Sequence, residues 1–177
     1  MKKIFIIGIR LVTVLCLVLG FRLAYTEMRS SQNGTAPKGE VMANHASGAF
    51  DVKMAPQKAD NAVAEAANLS RMSLDKQYHG DLEATAKGEM LATSPDAKGS
   101  GVYVALERVT GTLKGRSGSF LLHHTGIMRR GVPQLIIEVV PDSGTGQLAG
   151  LSGKMNINIA AGGKHSYDFE YALPEAQ

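Results

Sequence analysis

Residues 139–160, VVPDSGTGQLAGLSGKMNINIA, support two incompatible readings, and the choice between them decides the fold. The apolar run Leu135–Val140 followed by Gly144-x-Gly146-x-x-Ala149 has the spacing of a dinucleotide-binding fingerprint. That fingerprint works only if a helix begins inside it, so that the helix N-terminus can hold a pyrophosphate. Here Gly150 and Gly153 follow at once, and Lys154–Ile159 then alternates, with Met155, Ile157 and Ile159 on one face. Period two is the mark of a strand. A dinucleotide motif should also open its domain, whereas this stretch lies near the chain's end. The glycines therefore read as a chain reversal between two strands, at the tip of a hairpin, and no cofactor-binding motif remains.

The stretch GRSGS at 115–119 is a similar case. A nucleophile elbow needs G-x-S-x-G on a strand-to-helix turn. Ser117 is instead followed by Gly118, Ser119 and another apolar strand, so TGTLKGRSGS reads as a hairpin connection with Arg116 near its tip.

Working outward, short alternating runs punctuated by Gly, Pro, Asp and Ser predict eight strands. They lie near 46–54, 69–78, 81–92, 101–110, 118–125, 134–140, 153–160 and 165–173. Only 58–69, KADNAVAEAANL, is helical in pattern, with Asp60 as the expected N-cap. Eight regularly spaced strands with one short helix predict an all-β domain over 45–174, a closed eight-stranded antiparallel barrel, since closure removes sheet edges.

The N-terminus is of a different kind. Lys2, Lys3 and Arg10 precede the apolar run Leu11–Phe21, which has signal-peptide length. A cleaved leader over 1–26 predicts an exported protein, although Ala24-Tyr25-Thr26 is a poor cleavage site. Counting residues 4–25 as one segment gives the alternative, an uncleaved anchor in the inner membrane with one snorkelling arginine. Residues 27–44 are polar and aperiodic and read as a flexible linker. Asn33 and Asn68 match the glycosylation tripeptide, a short pattern that chance produces often.

The whole chain carries 19 basic and 16 acidic residues, but four of the bases and none of the acids lie in the leader. The rest is close to neutral, which removes the electrostatic case for a nucleic-acid partner. Arg129-Arg130 reads as a solvated pair. Cys16 is the only cysteine and lies in the leader, so the domain has neither a disulfide nor a thiol nucleophile.

Five histidines are present, at 45, 79, 123, 124 and 165, with no metal-ligating spacing among them. His123 and His124 point to opposite faces of their strand, and His124 shares its face with Phe120 and Leu122. On the fourth strand Tyr103, Ala105 and Glu107 share one face, and Val104, Leu106 and Arg108 the other. If the first set points inward, Glu107 becomes a carboxylate in an apolar cup, with a raised pKa suited to proton transfer. The alternative is that Glu107 faces outward or pairs with an arginine. Glu83, Tyr103, Glu107 and His124 are the candidate site residues.

The succession DKQYHGDLEATAKGEML, YVALERVTGTLKGRSGSFLLHHTG and VVPDSGTGQLAGLSGKM resembles the domain of unknown function 3224 family over about residues 45–173. The resemblance implies an allene oxide cyclase-like, calycin-like barrel of lipocalin shape, and no catalytic positions. The leading functional expectation is an exported barrel that binds a small apolar or amphipathic molecule in its mouth. The alternatives are an isomerase or cyclase acting on a lipid-like substrate, and a structural barrel that associates through its outer face, for instance as a homodimer.

Overall fold

The computed structural model describes residues 44–93 and 98–174. The leader, Cys16, Asn33 and the linker up to residue 43 lie outside the described residues. Eight strands form in order: β1 (Asn44–Gln57), β2 (Ser70–Gly80), β3 (Leu82–Thr93), β4 (Gly101–Leu113), β5 (Arg116–Arg129), β6 (Val132–Val139), β7 (Ser152–Ile159) and β8 (His165–Ala172). Each pairs antiparallel with its sequence neighbour, and β8 returns to β1, giving a closed up-and-down barrel. All eight predicted strands are present; β1, β4 and β5 run three or four residues past the sequence-based bounds at one end, and the others agree with them within two.

The turns follow from local chemistry. Lys114-Gly115 and Arg130-Gly131 are two-residue connections with both residues at positive φ, the geometry that matches the twist of paired strands. The predicted hairpin around Gly115 is therefore present, and Arg129 and Arg130 are exposed. The helix α1 (Ala62–Ala66) is shorter than the sequence pattern predicts. Its N-cap is Asn61, whose side chain accepts from the Ala64 N–H, and not Asp60, which bonds Arg71 instead.

Alternation sends one face of every strand inward, but the interior is not uniform along the barrel axis. One end is solid. Leu82, Leu113, Phe120, Leu148, Leu151 and Phe169 are almost fully buried there. Phe169 stacks on Phe120 and Tyr171, with centroids 6.0 and 5.3 Å apart. Each such side chain is worth about 1.5–3 kcal/mol of burial. The Tyr167 hydroxyl accepts from the Leu82 N–H at 2.9 Å and donates to the His79 carbonyl at 3.2 Å, tying the β2–β3 turn to β8.

The β6–β7 segment, 140–151, corrects the hairpin-tip reading. It is a long connection that lies along β5 and closes the solid end. Backbone bonds join Val140 N–H to the Leu121 carbonyl and Thr145 N–H to the Ser119 carbonyl. Side chains of Ser143, Thr145 and Gln147 accept from the N–H groups of Leu121, Ser119 and Ser117. A single turn of 3-10 helix, Gly146–Leu148, then puts Leu148 into the core. As a result β6 and β7 meet at one register pair, Glu138 opposite Lys154.

Candidate functional site

Halfway up the barrel the apolar filling gives way to a polar layer. Lys76 of β2, Glu107 of β4 and His124 of β5 all point inward and are only 6%, 1% and 4% exposed. Their positions follow from strand parity. Lys76 lies between inward Leu74 and Tyr78, Glu107 between inward Ala105 and Val109, and His124 two residues beyond Leu122.

One carboxylate oxygen organises the layer. Glu107 Oε1 accepts from Lys76 Nζ at 2.9 Å and from the Tyr78 hydroxyl at 3.1 Å, and it lies 3.0 Å from His124 Nε2. Oε2 is buried with no hydrogen-bond partner among the described residues. Burial is the largest single influence on this carboxyl and pushes its pKa up. The His124 hydrogen bond, the nearby charges of Lys76 and His124, and the Lys76 hydrogen bond together outweigh burial and hold it below the ordinary value. This corrects the raised pKa expected for an inward Glu107: the face does point inward, but the interior also holds a lysine that pairs with the carboxylate. Tyr78 shifts the other way, well above the usual phenol value, through burial and then the neighbouring Glu107 charge.

Above the polar layer the barrel stays open as a cavity of about 370 Å³. Phe50, Val52, Leu74, Leu135 and Ile157 supply apolar walls, with Met54 and Met90 nearer the rim. Methionine is flexible and polarisable, so such a rim adapts to the shape of what it contacts. Tyr103, Lys76, His124 and His165 are the polar members of the wall. A wider hollow of about 670 Å³ at the same end shares Met90, Tyr103 and Leu135 with the cavity. The Tyr103 ring lies against Gly126, its register partner on β5, where any side chain would collide with the ring. Burial, then the Glu107 charge, raises the Tyr103 phenol.

Three of the four sequence candidates are thus gathered in one interior: Glu107 and His124 in direct contact, and Tyr103 toward the mouth. Glu83 is elsewhere. It is exposed on the outer face of β3, accepts from the Gly80 N–H at 2.7 Å and lies 3.6 Å from His79, bracing the β2–β3 turn. Sequence reasoning missed Lys76 and Tyr78. The pattern Leu74-x-Lys76-x-Tyr78 was the available signal, a lysine on the inward parity of a strand.

A closed β-barrel with a solid floor and a cup above a buried ion pair is the class of protein these features define. A family model described as protein of unknown function (DUF3224) matches residues 46–171, and the chain belongs to that family. Its barrel is similar to the crystal structure of a DUF3224-family protein of unknown function from Shewanella oneidensis MR-1. The identity is 45% over 76% of this chain and 100% of that one, with a TM-score of 0.69. Comparison with curated proteins finds no match.

Proposed function

We propose that this barrel is an exported binding protein that holds a small apolar or amphipathic molecule in its cup. The observation that carries the reading is the cavity of about 370 Å³. Its apolar wall with a few convergent polar groups is the usual make-up of a small-molecule site. A filled barrel would have no such space, since eight strands enclose just enough room for either side chains or one small ligand. Export rests on residues 1–26, and cell fractionation tests it.

Binding is tested with N-phenyl-1-naphthylamine, a neutral apolar fluorophore, alongside native mass spectrometry of the protein purified from its own source. The fluorophore should brighten on binding, and Ala105→Phe, which fills the cavity from β4, should abolish the signal. Equal brightening with the filled variant, or none with the unaltered protein, refutes the reading.

Contact between His124 and Glu107 favours a second reading, acid–base isomerisation of a lipid-like substrate. It is the weaker of the two, because Glu107 lies behind the cavity wall and is held in its ionised form. Full turnover by Glu107→Gln, once a substrate is identified, would refute it.

A further inference from the structure

The titratable groups that form the cavity wall are Lys76, His124, His165 and Tyr103, and no carboxylate is among them. Glu107, the acid of the polar layer, is fully covered, and its Oε1 is already committed to three neighbours. The Lys76 ammonium carries three N–H donors. Two are used, toward Glu107 Oε1 at 2.9 Å and the Tyr78 hydroxyl at 3.4 Å. The third has no oxygen or nitrogen acceptor among the described residues. The ammonium stands 5.3 Å from the centroid of the Phe50 ring, which also lines the cavity.

From this geometry we propose that the cup selects a small amphiphile with a single anionic group, seated on Lys76 with its apolar body toward the methionine rim. The proposal rests on the binding reading above and adds the charge of the ligand. A purely apolar ligand leaves the third N–H unmatched, a neutral oxygen accepts it only as an ordinary hydrogen bond, and a cationic ligand meets like charge. An anionic oxygen gains a charge-assisted hydrogen bond in a water-poor site, and His165, which also lines the wall, is a further polar group in the cup. Glu107, 2.9 Å from the ammonium and with Oε2 unpartnered among the described residues, opposes the anion and keeps the preference moderate.

Two fluorophores with one aromatic body separate the claims. 8-Anilinonaphthalene-1-sulfonate carries a sulfonate, and N-phenyl-1-naphthylamine does not. The full chain should bind the sulfonate about tenfold more tightly, the worth of one charge-assisted hydrogen bond. Lys76→Met combined with Glu107→Gln, which removes both charges together, should erase that advantage, so that the double variant binds the two probes with equal affinity. Lys87→Met, at an exposed lysine on the outer face, should keep it. Should the double variant fail to fold, the unaltered protein still decides: octanoate should displace the neutral probe at about one-tenth the concentration that 1-octanol needs. Equal affinity for the two fluorophores, an advantage that survives loss of Lys76, or equal displacement by acid and alcohol overturns the anion preference alone. Failure of both probes to bind overturns the binding reading and this one with it.

Discussion

At the scale of single residues, Glu107 and Lys76 are worth most as a pair. Removing one partner of a buried ion pair strands the other in a medium that solvates it poorly, at a cost of about 3–5 kcal/mol. Lys76→Met and Glu107→Gln should therefore each destabilise the barrel by about 3 kcal/mol in urea denaturation. The double variant should lose less than the sum by at least about 1 kcal/mol, since neither charge is then left alone. Strict additivity would show that the pair is not coupled. The pH dependence has a definite sign. A carboxyl held below its ordinary value of 4.5 contributes stability that is complete above that value. This contribution disappears as pH falls through the folded-state value. Acid unfolding should thus be less steep below pH 4.5 for Glu107→Gln than for the unaltered chain, and identical slopes would refute the assignment. Strand parity made Glu107 and His124 legible in the sequence. Their meeting was not legible, because it depends on the shear that brings β2, β4 and β5 to the same height.

At the scale of elements, the floor depends on the 140–151 connection. Leu148 is buried at the solid end, away from the cup. Leu148→Ala should cost about 3 kcal/mol in chemical denaturation, from lost transfer energy and the void left behind, while leaving the affinity for the neutral fluorophore within about twofold. A loss under about 1 kcal/mol would mean that this segment does not seal the barrel. The strands were readable because period-two patterns are local. The connection was not: Ser143, Thr145 and Gln147 look like ordinary turn residues until β5 lies beside them and offers its N–H groups. Glycine spacing misled for the same reason toward a hairpin tip, although the strand that follows had already excluded a nucleotide site. The helix starts later because Asn61 takes the cap and Asp60 is drawn to Arg71, and it ends early where Asn68 takes a positive φ of 50°.

At the scale of the whole molecule, the ring of strands closes unevenly. The β4–β5 pair has a continuous register from Gly101 opposite Met128 to Leu113 opposite Arg116, whereas β6 and β7 share one pair, where Glu138 also meets Lys154 at 3.0 Å. Native-state hydrogen exchange should therefore be faster at the β6-facing amides of Asn156–Ile159 than at the paired amides of β4, since unpaired strand amides lack ladder protection. Uniform protection around the barrel would show that the seam is fully bonded in solution.

By itself, the sequence determined the all-β class, the eight strands, the reversal at Lys114-Gly115, the shared face of Tyr103 and Glu107, and the shared face of His124, Phe120 and Leu122. All of these rest on chemistry within a few residues along the chain; that these faces point inward was left open. Only the tertiary structure decided that Glu83 stays outside, that Lys76 is the cation facing Glu107, and that the glycine-rich segment becomes the floor. The physical reason is that a strand's pattern states which side chains share a face. What those side chains meet across the barrel depends on register and closure, which no single strand encodes.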